Sequence, residues 1–369
     1  MTAVTSPSPS PQAPAAATRP RHGWRFWLYN ILVAAAAGWL CFVLLHLLIS
    51  GRWWFWLIID VMPPAVLLIV PVLLAAGAAP CRRSRRPVAL LSLAALVIGA
   101  PISGLNFRAL AGGDGPAPPG ALRVFSWNTE YWDSDGGPFY DFLRDQHADV
   151  YLLQEYLRDG DIPGRIDDSS RLRAEFPGYD LAIAGELVTL SRLPIVRSYP
   201  LPAAVPTTDT GWLGEYTRDK ILRTDLSLAG GHQLSIYNLH MPVQINPTSP
   251  FSAAFYRTIR EQRAQREPQW RALAADVAAN PGPALVAGDF NTTPAMGDLN
   301  KVPSRLRDAS TALPDLYPTT YRDRPGLPRW WRLDWAFVTR DVRVHDYTFG
   351  SSHGQSDHRF QLLQLSTAP

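Results

Sequence analysis

The chain has 369 residues, a hydrophobic fraction of 47%, two cysteines and a net charge of +3. This length accommodates one large domain and an accessory segment, and two cysteines exclude a disulfide framework or a thiolate metal site. The charge is unevenly divided: residues 1–106 hold 8 Arg/Lys against the single Asp60, whereas residues 107–369 hold 27 against 31 and carry −4, which argues against a strongly nucleic-acid-binding surface.

Residues 1–26 begin with a Pro, Ala, Ser and Thr tract that cannot bury a core, so a disordered cytoplasmic N-terminus is expected. Within 27–106 come three apolar stretches, 27–49, 53–76 and 87–105. Each approaches the roughly 20 residues a helix needs to cross a bilayer. Three in series are more than a cleavable signal peptide requires. Arg19, Arg21 and Arg25 precede the first stretch, and Arg82, Arg83, Arg85 and Arg86 lie between the second and third. Only Arg52 separates the first two. Basic loops stay in the cytoplasm, so this multi-pass segment of the plasma membrane is expected to leave everything after its third helix outside the cell.

Trp53, Trp54 and Trp56 suit an aromatic belt at the outer interface. His46 and Asp60 fall near the same level and are expected to reach lipid headgroups. Pro63, Pro64 and Pro71 predict a kinked second helix. Residues 107–121 then form a Gly/Pro linker, ending in AGGDGPAPPGA.

The remaining domain, 122–369, alternates short β-rich runs with helical pattern. Strands are expected at 122–127, 150–153, 181–184, 221–228, 233–239, 284–287, 333–338, 342–348 and 360–365. Helices are expected at 138–146 and over 249–279, the latter interrupted at Pro268. Strands with intervening helices suggest a layered α/β or α+β sandwich with helices outside.

The polar residues fall where these runs end. Asn128 follows VFSW, Glu155 follows VYLLQ, His240 follows SIYNL, and Asp289 and Asn291 follow ALVAG. Asp334 opens the run DWAF, and Asp357-His358 precedes the last strand. Any one of these is ordinarily a turn or surface residue. Six such ends, all bearing oxygen or nitrogen ligands, point to a single cleft built on rigid strands. Oxygen ligands without thiolates favour Mg²⁺, Mn²⁺ or Ca²⁺ over zinc. Together with two histidines, they suit hydrolysis of a phosphate ester or anhydride.

The segments WNTEYW, LLQEY, YNLHM, GDFNTTP, RLDWAFV and SDH resemble, in order, the motifs of the endonuclease/exonuclease/phosphatase superfamily. The resemblance implies a DNase-I-like, four-layer α/β (α+β) sandwich that uses a divalent metal, usually Mg²⁺. It places Asn128, Glu155 and Asp357 on the metal side. It implies that Asp289 and Asn291 orient water and phosphate, and that His358, held by Asp334, binds the phosphoryl group. It leaves His240 as a donor or general acid.

Three N-terminal spans followed by an outward-facing domain further resemble the VanJ-type teicoplanin-resistance proteins, associated with dephosphorylation of undecaprenyl pyrophosphate. By that resemblance the partners are the lipid membrane and a polyprenyl diphosphate substrate. Arg218, Lys220 and Arg223 are candidates for binding its second phosphate. Trp212 and Tyr216 within 201–220, Phe251, Phe255 and Tyr256 within 241–256, and Trp330 and Trp331 are candidates for lining an entrance. A membrane-tethered endonuclease, a sphingomyelinase or phospholipase C, and a non-enzymatic binding module stay open as alternatives.

Overall fold

The computed structural model describes residues 24–111, 117–132, 136–160, 163–245, 251–322, 324 and 326–367. The disordered N-terminus expected at 1–26 lies outside them up to residue 23, as does the middle of the expected linker, 112–116.

Among the described residues twelve strands form two sheets of six. The first runs in the order β11 (Val342–Gly350), β12 (Phe360–Thr367), β1 (Leu122–Asn128), β2 (Val150–Gln154), β4 (Leu187–Ser191), β3 (Asp180–Ala184). The second runs β5 (Ile195–Pro200), β6 (Ile221–Ser227), β7 (Gln233–His240), β8 (Ala284–Asp289), β10 (Asp334–Val338), β9 (Arg307–Asp308). β1 lies parallel to β2 and β7 parallel to β8.

Alternation along each strand decides what it packs against. Val124, Leu152, Ile236, Leu285 and Ala336 meet in one apolar cluster between the sheets. Their neighbours Phe125, Trp127 and Tyr151 face outward under α5 (Gly137–Asp145) and α6 (Ser169–Glu175). On the far side Tyr237, Val286 and Phe337 pack beneath α8 (Ala253–Ala279) through Trp270, Leu273 and Val277. The result is helix, sheet, sheet, helix, as expected.

Each expected strand is present, and three more appear. β4 pairs with β3 across the tight Gly185-Glu186 turn, which the apolar pattern of the run does not announce. β5 is a half-exposed edge strand carrying Arg197 and Ser198, and β9 has two residues. The break expected at Pro268 is absent, since α8 continues through it. Arg266 on one side of the proline binds Thr292 Oγ1 at 2.7 Å, and Gln269 on the other binds the Arg218 carbonyl at 2.9 Å. These tertiary bonds hold the helix together where a proline removes one of its own.

In the N-terminal part α1 (Trp24–Ile49), α3 (Val66–Ala78) and α4 (Arg85–Gly99) pack together through Ala36, Ala78 and Val88. Among the described residues two helices, Phe26–Ile49 and Arg85–Ile102, are long and apolar enough to cross a membrane, and Val66–Ala78 is shorter. The second expected span is therefore not one helix. Its first part is a 3₁₀ turn, Trp54–Trp56, followed by the single turn α2 (Leu57–Asp60). Pro63 and Pro64 then separate this piece from α3, because a proline in a helix interior costs a backbone hydrogen bond. The first part turns away to pack on the sandwich, with Leu57 against Phe255, Ile259 and Met296. His46 and Asp60 do not reach headgroups: they are 2% and 3% exposed, buried where helices and sandwich meet.

Candidate active site

The inter-sheet core turns polar at one end. Asn128 continues the inner face of Val124, Gln154 that of Leu152, and Asn238 and His240 that of Ile236. Asp289 and Asp334 likewise continue the inner faces of β8 and β10. Register brings them level, with Asn128 opposite Gln154 and both His240 and Asp334 opposite Asp289. Gln154 donates across the gap to Asn238 at 2.7 Å, and Asn238 caps the Leu153 and Val188 carbonyls, so a hydrogen-bonded floor separates the site from the core. Gly288, with φ 146°, lets β8 press against the Leu239 carbonyl, where a Cβ would overlap it.

Asp289 is the hub. Its Oδ1 accepts the Asn291 backbone N–H at 2.7 Å and its Oδ2 accepts Asn128 Nδ2 at 3.1 Å. The Nε2 atoms of His240 and His358 stand 3.6 and 3.7 Å from that same Oδ2. Burial raises the Asp289 pKa, His358 opposes the rise and Asp334 adds to it. Asn291, at φ 47°, gives its side-chain Nδ2 to the Met241 carbonyl at 2.9 Å while still lining the cleft.

Glu155 follows β2 at φ 63°, a left-handed turn uncommon for a residue with a Cβ and found where function demands it. Its carboxylate accepts Asn128 Nδ2 at 2.9 Å and the Tyr131 backbone N–H at 3.1 Å. His358 Nδ1 lies 2.8 Å from Asp334 Oδ2, which leaves Nε2 facing the cleft near Asp289 and Asp357. Burial disfavours the charged ring, yet Asp334 and Asp289 raise its pKa well above the ordinary value. His240 is raised in the same way: burial opposes its charge, and Glu186 outweighs it with an oxygen 3.1 Å from Nδ1. In both imidazoles the neighbouring carboxylates thus favour the charged form, the form with an N–H to offer an anion.

Glu186, fully buried in the turn before β4, escapes sequence reasoning, since one acidic residue after a glycine carries no signal. It is ion-paired to both His240 and Lys220. Gln154, Asn238 and Tyr321 also belong to the site without a signal of their own. Gln154 ends the inner face of β2 begun by Leu152, and Asn238 lies two residues before His240 on the inner face of β7. The cleft encloses about 330 Å³, walled by Tyr131, Leu157, Tyr216, Val243 and Tyr321 around the polar set.

Of the three residues expected to hold a second phosphate, only Lys220 lines this cleft, and Glu186 neutralises it. Arg218 turns instead to the Asp209 carbonyl, 3.1 Å away. Arg223 points outward into a buried network, 2.8 Å from Asp225, 2.7 Å from Asp276 and 3.2 Å from Ser235. Burial works against a charged Asp225, but hydrogen bonds from Arg223, Ser235 and Arg197 hold its pKa below the ordinary carboxylate range. Its stabilising contribution is present above the unfolded value and lost as pH falls through the lower folded one. Arg223→Met removes the buried cation between Asp225 and Asp276, leaving them to Arg197, Ser235 and two tyrosines, and is expected to cost about 3 kcal/mol. Thermal unfolding should show a lower Tm whose deficit shrinks in acid, whereas a raised KM at wild-type Tm would restore Arg223 to the substrate.

The aromatic candidates separate too. Tyr216 lines the cleft beneath Lys220. Trp212 does not: it donates to the Pro163 carbonyl at 2.7 Å. Phe255 is buried against Leu57, Phe251 is exposed, and Trp331 binds the Val61 carbonyl at 2.9 Å.

Two sets of groups could hold a cation. Asp289, Asp334 and His358 bring three donor atoms within 4.8 Å of one another, but the Asp334–His358 hydrogen bond already engages two of those side chains. Asn128, Glu155 and Asp357 line the cleft with oxygen donors, the chemistry a hard divalent cation prefers. The Asp357 pKa is pushed up to about 7 by burial and by Glu130, Glu155 and Asp289, with His358 opposing. With Lys220 engaged by Glu186, this crowd of carboxylates fits a site meant for positive charge.

An α/β sandwich that gathers carboxylates, amides and two acid-held imidazoles at one end of its inner faces has the build of a phosphoesterase or nuclease. The chain belongs to the endonuclease/exonuclease/phosphatase family, whose model matches residues 125–358. Enzymes of this family generally depend on a divalent metal. Similar solved structures include a family member from Leptotrichia buccalis, at 15% identity over 67% of this chain and 100% of that one, TM-score 0.48. A 3′ phosphatase from Neisseria bound to a product DNA hairpin is 14% identical over 67% and 100%, TM-score 0.48. A mannosyl-6-phosphatase from Bacteroides thetaiotaomicron is 16% identical over 67% and 100%, TM-score 0.44. No curated protein matches the sequence.

Proposed function

We propose that the protein is a membrane-anchored, Mg²⁺-dependent phosphohydrolase that removes the terminal phosphate of a polyprenyl diphosphate such as undecaprenyl pyrophosphate, outside the cytoplasm. One observation carries the preference for a lipid over DNA. The loop that follows Asp289 and Asn291 packs directly on the apolar helices, with Ala295 among Val43 and Leu67. A substrate whose headgroup enters the cleft could keep its chains in the bilayer.

Asp289 is placed to orient and deprotonate the attacking water, its basicity raised by burial. The Nε2–H groups of His240 and His358 face the position of the phosphoryl oxygens and donate to the charge that develops there. Asn128, Glu155 and Asp357 would hold the cation, which when bound neutralises phosphoryl charge. For the second phosphate, Arg218 and Arg223 are engaged elsewhere, and Lys220 is the candidate cation that lines the cleft.

The protein in detergent with Mg²⁺, offered undecaprenyl pyrophosphate, plasmid DNA and sphingomyelin in parallel, should release phosphate from the first alone. DNA nicking without phosphate release would establish a tethered endonuclease instead. Sphingomyelin cleavage would establish a phospholipase C-like enzyme. A reporter fused at Pro369 should be active only outside the cytoplasm.

A further inference from the structure

We infer that the N-terminal helical segment is a working part of the active site, and that His46 is a positioning residue for the loop carrying Asp289 and Asn291. The inference rests on the phosphoesterase reading of the cleft but not on which phosphate it cleaves.

The loop after β8 leaves the site at Asn291 and meets α1 four residues later. There His46 Nε2 lies 2.7 Å from the Ala295 carbonyl, in a seam where His46 is almost wholly buried. The tautomer follows from the other ring nitrogen. Trp56 Nε1 donates to His46 Nδ1 at 3.2 Å, and an indole N–H can only donate. Nδ1 therefore holds the lone pair, and the proton sits on Nε2, aimed at Ala295. Two residues further along the loop, the Gly297 N–H donates to Ser50 Oγ at 2.7 Å. A Cβ on Gly51 would overlap the Gly297 backbone, and one on Gly297 would overlap the Ser50 carbonyl. Gln244 ties the same loop together, donating to the Asn291 carbonyl at 2.8 Å and to Met296 Sδ at 3.0 Å.

The opposite wall of the cleft is fastened to the same segment. Trp331 Nε1 donates to the Val61 carbonyl at 2.9 Å. Trp331 bridges to Tyr321, and Tyr321 bridges to His358 with ring centroids 5.0 Å apart. The general base and the phosphate-binding imidazole thus sit on two arms held by residues 46–61. Ordinary packing of a tether would not need directional hydrogen bonds to both arms. A buried carbonyl deprived of its donor costs the local structure, and a misplacement of about 1 Å costs roughly 100-fold in rate.

The test uses the full chain in detergent, comparing wild type, His46→Ala, His46→Gln and, as a lipid-facing control on α4, Leu93→Ala. Turnover is read on bis(4-nitrophenyl) phosphate, which needs no bilayer, alongside amide hydrogen exchange. His46→Ala should lower kcat about 10- to 100-fold with KM within about twofold. It should speed exchange in residues 289–298 but leave β2 protected. Gln, which keeps an N–H donor, should restore most of both, and Leu93→Ala should change neither. Unchanged kcat, exchange that rises throughout the sandwich, or Gln no better than Ala would each overturn the inference. If the wild type turns over no phosphoester, the functional reading fails, and the exchange pattern still decides whether His46 holds this loop.

Discussion

Asp289→Asn is expected to lower kcat by about 1,000-fold, within the range attributed to a positioned general base, without lowering Tm. Asp289 is 1% exposed and its Oδ2 is approached by Asn128 and by both imidazoles. The amide keeps the shape and its oxygen can still accept the Asn291 N–H; its NH₂ gives up the Asn128 hydrogen bond, a loss that removal of a buried charge offsets. What it loses is basicity at the point where a water must be deprotonated. The stability arm has a sign of its own. Because burial raises the Asp289 pKa, the ionised group weakens the fold above that pKa, and a neutral amide removes the penalty. Parallel measurement of kcat and Tm is decisive, since near-wild-type turnover would remove Asp289 from the chemistry, and a fall in Tm would make its charge structural.

Asp334→Ala and His358→Ala should each lower kcat by about 100- to 10,000-fold, and the double variant should be little worse than either single. Asp334 Oδ2 is 2.8 Å from Nδ1, and this contact orients the ring and keeps the Nε2 proton facing the cleft. Without Asp334 the ring loses both its anchor and the largest charge favouring its cationic form. Without His358, Asp334 has nothing to orient. Two residues that act as one unit give non-additive losses, so a product of the two single effects in the double variant would show independent roles.

Much of the site was legible because the family of strands writes it in a simple code. Asn128, Glu155, His240, Asp289, Asp334 and His358 sit at or next to the ends of buried apolar runs, and a period of two places most of them on inner faces. The four layers followed from the same alternation. Strand β4 is as apolar as its neighbours, but its turn is too short to separate it from β3 in the apolar pattern. Glu186 was illegible because its importance lies in what surrounds it: a carboxylate far from His240 in the chain, made essential by full burial between an imidazole and an ammonium.

The cations mark the boundary most clearly. Arg218, Lys220 and Arg223 lie within six residues of one another and read as one basic patch. On α7 (Trp212–Arg218), β6 and the turn between them, they point to a loop carbonyl, a buried glutamate and an outer-face aspartate network. Local sequence determines which groups alternate along a strand and which helices are apolar, because those depend on near neighbours. Which charge meets which, and whether His46 faces lipid or the loop behind Asp289, depends on contacts across up to 249 residues of chain, and only the packed structure decides them.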